Sequence, residues 1–246
     1  TTSLRGLIGC TLRVDILTEG IHSGGGSGIV PSSFRIARQL LSRLEDEKTG
    51  TIIPNDFTTE IPKERRAQAK ETISVLGDDF VRAFPWIKNS NPVLDDPVEL
   101  LLNNTWKSML SVTGAEGLPL IKDSGNVLRP FTSLKLSLRL PPTLDAVIAQ
   151  SNLEKILTTD PPYGSKVSLN FEEPASGWNA PSLQPWLKNA VQNASQKMYE
   201  KKALYIGEGG TIPFMGMLGD AFPEAQFVIT GVLGPHSNAH GPNEFL

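Results

Sequence analysis

Three histidines, His22, His236 and His240, are the side chains of this chain best suited to chemistry near neutral pH. An imidazole changes charge near physiological pH and, when neutral, is a common metal ligand. His236 and His240 lie in the polar stretch Gly234-Pro-His-Ser-Asn-Ala-His-Gly-Pro-Asn-Glu244, directly behind the apolar run Phe227-Val-Ile-Thr-Gly-Val-Leu233. That arrangement reads as a strand feeding a loop, a common place for metal and catalytic groups. His22 lies in Gly20-Ile-His-Ser-Gly-Gly-Gly-Ser-Gly28, a Gly-Ser loop from which an imidazole could donate to a developing oxyanion. None of the three falls on an apolar helical or strand stripe, which weighs against roles as core histidines. Taken singly each reads more readily as a surface-loop or structural residue than as a functional one, because one histidine cannot hold a metal.

Two further groups could bind an anion. Gly207-Glu-Gly-Gly-Thr211 stands just before a helix start, where backbone N–H groups could hold a carboxylate, although it lacks the lysine and hydroxyl ending of a phosphate loop. Arg139 lies between leucines in Leu134-Lys-Leu-Ser-Leu-Arg-Leu140, on the polar face of an alternating strand.

The elements that must position these residues follow from periodicity. Cys10, Leu12, Val14 and Ile16 alternate with Thr11, Arg13 and Asp15, as in a half-buried strand. Ser32 or Ser33 then caps a helix whose stripe is Phe34, Ala37, Leu41 and Leu44, widened by Ile36 and Leu40. Met109–Val112 is a short strand, Gly114–Gly117 a turn, and Leu134–Leu140 a third strand region after Val127-Leu128. Pro141-Pro-Thr143 opens a helix running through Ala146, Ile148, Leu153 and Ile156, and Lys166–Phe171 is the last strand. The order strand, helix, strand, strand, helix, strand is the ferredoxin-like pattern, with both helices on one face of an antiparallel sheet. Residues 50–105, interrupted by prolines, read as an insertion with helices near Lys63–Val75 and Val98–Trp106. Beyond Glu172-Glu-Pro-Ala-Ser-Gly-Trp178, an amphipathic helix runs from Leu183 to Tyr199 and a short one lies near Phe214–Leu218. This last stretch is too small to build its own core, so it completes another domain. The fold class is therefore α+β.

Composition excludes several classes. The net charge is −3 and no basic stripe is present, so a nucleic-acid partner is not expected. No apolar run reaches the ~20 residues of a membrane helix, so no membrane association is expected. The lone Cys10 rules out an internal disulfide framework and points to a reducing, cytoplasmic compartment. The chain opens within a strand approach and stops close behind the histidine loop, as a piece of a longer protein would.

Five motifs occur in a telling order: Gly20-Ile-His-Ser-Gly24, Thr113-Gly-Ala-Glu-Gly117, Leu136-Ser-Leu-Arg-Leu-Pro141, Gly207-Glu-Gly-Gly-Thr-Ile-Pro213 and Asn238-Ala-His-Gly-Pro-Asn-Glu244. Together, and over essentially the whole chain, they resemble the carnosinase-like branch of the dinuclear-zinc metallopeptidases, which also contains carboxypeptidases, aminoacylases and desuccinylases. The resemblance implies a ferredoxin-like lid, residues 1–173, that forms a homodimer, followed by the C-terminal portion of an α/β catalytic domain, residues 174–246. It implies two divalent metal ions (zinc, or manganese or cobalt) and hydrolysis of the amide bond of a small peptide or N-acyl amino acid. By the same resemblance His240 is a metal ligand. His22 stabilises the oxyanion, in dimers often from the partner subunit. Arg139 holds the substrate carboxylate, and Asn126, Glu208, Gly209, Gly210 and Thr211 line the substrate site. The family's remaining metal ligands and general-base glutamate correspond to positions upstream of Thr1. This polypeptide by itself is therefore expected to be inactive and metal-free. The alternative is a non-catalytic dimerisation or binding module.

Overall fold

The computed structural model describes residues 1–231, 234, 237, 239 and 241–245. In chain order its elements are β1 (Ser3–Leu4), β2 (Gly6–Asp15), β3 (Ile21–His22), α1 (Ser23–Gly26), α2 (Ser33–Leu41), α3 (Lys63–Leu76), α4 (Asp79–Arg82), α5 (Pro97–Thr105), β4 (Met109–Glu116), β5 (Val127–Leu128), β6 (Phe131–Leu140), α6 (Ala146–Thr158), β7 (Lys166–Phe171), β8 (Trp178–Asn179), α7 (Pro185–Tyr199), β9 (Gly207–Glu208) and α8 (Pro213–Ala221).

The main sheet is antiparallel, in the order β4-β6-β2-β7. Counting its strands along the chain, this is the 4-1-3-2 order of a ferredoxin-like sheet, as the periodicity predicts. Ile8, Cys10, Leu12 and Val14 of β2 and Leu134, Leu136, Leu138 and Leu140 of β6 all point to one face. There they meet Ile36, Ala37 and Leu40 of α2 and Ala146, Ala149, Leu153 and Leu157 of α6 in a single core. Burial places Cys10 in that core and pushes its thiol up to about 11, so it is a packing residue rather than a nucleophile.

Several expectations need correction. Gly114 is not in a turn. Strand β4 continues to Glu116 across a register shift between Val112 and Gly114, which leaves Thr113 as the extra residue of a bulge. The turn residue is Gly117 alone, at φ +86°. Helix α6 begins after Asp145 rather than at Pro141, because the Asp145 carboxylate accepts from the N–H groups of Val147 (2.8 Å) and Ile148 (3.0 Å). Its inward stripe follows from that start, leaving Ile148 exposed. On α2 the cap is Ser32 and the buried side is Ile36, Ala37 and Leu40, which turns Phe34 outward.

The predicted strand over 227–233 is absent from residues 227–231, while Val232 and Leu233 lie outside the described residues. A strand requires a ladder, and among the described residues the backbone of 227–231 instead accepts a hydrogen bond from the Thr1 ammonium at the Ile229 carbonyl (2.7 Å). Phe227 and Ile229 instead pack on Leu4, Trp178, Ala180 and Met215.

The insertion forms a small core of its own, Ala69, Ile73, Leu101 and Leu102 with Ile206 against it. Arg65 of α3 reaches across to the Asn179 side chain (2.9 Å) and the Ala180 carbonyl (2.6 Å). Glu99 of α5 accepts from Arg66 of α3 and from Lys107 (2.7 Å), and these hydrogen bonds, that from Lys107 first, hold its carboxyl below the usual range. A three-stranded sheet β8-β1-β9 links the chain start to the C-terminal segment. Helix α7 is amphipathic as predicted, but none of its residues is buried, and Trp186, Met198 and Tyr199 are exposed. Among the described residues no helix is long and apolar enough to cross a membrane.

Candidate active site

His22 is not in a loose loop. It is the second residue of β3, paired with Val127 of β5, and it caps α1 by accepting the Gly24 N–H at Nδ1 (3.1 Å). In the neutral ring an accepting Nδ1 leaves the proton on Nε2. The exposed imidazole therefore presents one N–H donor to solvent. The glycine run is what permits this turn: a Cβ at Gly24 would lie 2.8 Å from the imidazole. Asn126 sits beside it, its carbonyl accepting the Ser23 N–H (2.9 Å). His22 and Asn126 thus form one group.

Arg139 forms a second group. Its Nη1 donates to Thr211 Oγ1 (2.9 Å), so the loop over residues 207–213 covers the end of the sheet and half-buries an arginine expected on an open face. Glu208 pairs with Leu4 in the β1–β9 ladder. Gly207 is held tightly, since a Cβ there would lie 2.9 Å from that of Thr105. Gly209 and Gly210 are held from Arg5: its Nε donates to the Gly209 carbonyl (3.1 Å), and its backbone N–H to the Gly210 carbonyl (3.1 Å).

Arg5 escaped the sequence reading. It is 6% exposed, and Nη1 donates to the carbonyls of Asn103 (3.1 Å) and Lys107 (3.4 Å) around the C-terminal end of α5. Among the described residues no carboxylate forms an ion pair with it. Burial, and secondarily the like charge of Arg139, pull its pKa down to about 10. A signal was present: an arginine inside the apolar approach Ser3-Leu-Arg-Gly-Leu-Ile8 is expensive to bury unless its donors are met.

The two groups lie at opposite ends of the main sheet. Asp15 pairs with Phe131 at one end of the β2–β6 ladder, next to the chain leading to His22, and Leu7 pairs with Arg139 near the other. At the rise of an antiparallel strand, the interval from 131 to 139 spans roughly 27 Å. No hydrogen bond among the described residues links the groups. His236 and His240 lie outside the described residues. Among those described, no group of three or more His, Cys, Asp or Glu side chains could hold a metal ion. The Nδ1 of His22 already accepts from backbone, so these residues do not fit a metal centre and no metal-dependent step is assigned to them.

Comparison with known proteins bears on this geometry. Residues 2–164 match the family model described as the peptidase dimerisation domain of the M20 type. A cysteinylglycine-S-conjugate dipeptidase from Corynebacterium striatum is 28% identical over 99% of the chain, and the chain spans 52% of that relative's length. Among solved structures, an M20-family metallo-carboxypeptidase from Sulfolobus solfataricus is 23% identical, with a TM-score of 0.71 over 99% of this chain and 54% of that one. Human carnosine dipeptidase 1 is 20% identical, with a TM-score of 0.68 over 89% of this chain and 47% of that one. At these identities the two structures speak to the fold.

Proposed function

Because the chain belongs to the M20 peptidase dimerisation-domain family, we propose that it is part of a metal-dependent hydrolase that cleaves the amide bond of dipeptides or N-acyl amino acids. In this reading residues 1–173 are the lid and residues 174–246 the end of the catalytic domain. The metal ions, two divalent cations with zinc foremost, are held mainly by residues outside this chain, with His240 as one ligand. Arg139 binds the substrate carboxylate as a charge-assisted fork, and Glu208, Gly209, Gly210 and Thr211 line that site. His22, with Asn126 beside it, donates from Nε2 to the oxyanion as the carbonyl carbon becomes tetrahedral.

The observation that carries the reading is the Arg139–Thr211 hydrogen bond (2.9 Å), which joins the lid sheet to the glycine loop of the C-terminal segment. The dipeptidase likeness over 99% of the chain supports the reaction class. The wide separation of His22 from Arg139 supports a homodimer in which each site takes Arg139 from one subunit and His22 of the partner subunit.

The test is hydrolysis of dipeptides and N-acyl amino acids, with added zinc or manganese, by this chain and by a longer parent polypeptide that supplies an upstream segment. Turnover by the longer protein alone is expected. Turnover by neither would favour the non-catalytic dimerisation or binding module, and turnover by this chain would overturn the placement of the metal ligands.

A further inference from the structure

Arg5 has no role in the reading above, yet it holds the two residues that precede Thr211, the side chain that meets Arg139. Its Nη1 takes the carbonyls of Asn103 (3.1 Å) and Lys107 (3.4 Å), groups left over at the end of α5, where the helix dipole is negative. Its Nε takes the Gly209 carbonyl (3.1 Å). Its own backbone N–H takes the Gly210 carbonyl (3.1 Å). The next residue, Thr211, receives the Arg139 donor (2.9 Å). Glycine at 209 permits the approach, since a Cβ there would lie 3.2 Å from Arg5 Nη2 and 3.0 Å from the Asn104 carbonyl oxygen.

We infer that Arg5 is a positioning residue for carboxylate recognition, holding the 209–211 loop so that Thr211 aims the Arg139 fork at an anionic substrate group. A buried guanidinium could have been met by a carboxylate, which would have neutralised this corner. Here it is met by carbonyl oxygens, and among the described residues neither Arg5 nor Arg139 forms an ion pair with a carboxylate. The Arg5 pKa, pulled down first by burial and then by the like charge of Arg139, accords with the two guanidinium groups lying close together. The inference rests on the carboxylate role proposed for Arg139.

The experiment is titration of the 246-residue chain with N-acetylglycine and with its uncharged amide, N-acetylglycinamide, followed by amide NMR shifts of Gly209, Gly210 and Thr211. The readout is the ratio of the two affinities, which loss of stability alone does not change. Wild type is expected to favour the carboxylate. Arg5→Met should lower that preference about tenfold, the size expected when a charge-assisted hydrogen bond is lost. Arg5→Lys, which keeps the charge but cannot span Gly209, Asn103 and Lys107 together, should lower it about threefold. If Arg139→Lys loses the preference while both Arg5 variants stay within twofold of wild type, Arg5 merely caps α5 and the inference is overturned, with the Arg139 role intact. If Arg5→Met does not fold, Arg5→Lys decides by the same criterion. If wild type itself shows no preference, the carboxylate role of Arg139 falls, and this inference with it.

Discussion

His22 shows how backbone chemistry can set the state of a side chain. By taking the Gly24 N–H at Nδ1 it confines its proton to Nε2, so the ring faces outward as a donor. That is the form an oxyanion donor requires. In the longer parent enzyme, His22→Ala should lower kcat by about a hundred- to a thousandfold with little change in KM, the usual cost of one such donor. Steady-state kinetics check this, and an unchanged kcat would remove His22 from the chemistry. Arg5 and Arg139 make the complementary point. Both could be named from the sequence as arginines in apolar strands, but only Arg139 sits in a motif. What Arg5 does depends on carbonyls more than ninety positions away, those of Asn103, Lys107 and Gly209.

At the scale of elements, caps and ladders decided what periodicity left open. Asp145 sets the start of α6 and so chooses which of its apolar residues face the core. A glycine expected in a turn, Gly114, proved to lie in strand β4, where it pairs with Lys135 just past the register shift at Thr113. Helices α3 and α5 are tied by Glu99, which Lys107 and Arg66 both address. Its carboxyl is held below the usual range. A depressed carboxylate stabilises the fold above its unfolded pKa, and that contribution is lost as pH falls through the folded value. Glu99→Gln should therefore cost about 0.5–1 kcal/mol at pH 7, since the pair is partly solvated. The cost should begin to fade below roughly pH 4, where the unfolded carboxylate takes up its proton, and vanish once the folded carboxyl is protonated too. Denaturant unfolding at both pH values measures this, and a pH-independent difference would mean the ion pairs are not its source.

For the whole molecule, the separation of His22 from Arg139 makes the proposed homodimer a chemical matter as well as a structural one. In a two-fold dimer of the longer parent, co-folded His22→Ala and Arg139→Ala subunits should form mixed dimers with one intact site. Activity should recover to about a quarter of wild type if subunits exchange statistically. Each variant alone should be nearly inactive. Mixed dimers confirmed by mass that show no recovery would mean that each subunit uses its own His22. The exposed Trp186, Met198 and Tyr199 of α7 belong to this scale too, for an amphipathic helix without a buried residue has an apolar face still to be covered.

The sequence by itself determined the α+β class, the strand-helix order of the main sheet and the one apolar face on which both helices pack. All of these follow from side-chain periods of about 3.6 and 2 along short stretches of chain. It also picked out His22, Arg139 and the Gly207–Thr211 loop, because their residue types are unusual for the places they occupy. Only the tertiary structure decided that His22 and Asn126 sit together, that Thr211 covers Arg139, and that a buried Arg5 holds the loop. Those are contacts between residues distant in sequence. Their register is set by strand pairing and by the need to satisfy buried polar groups, neither of which leaves a local period in the chain.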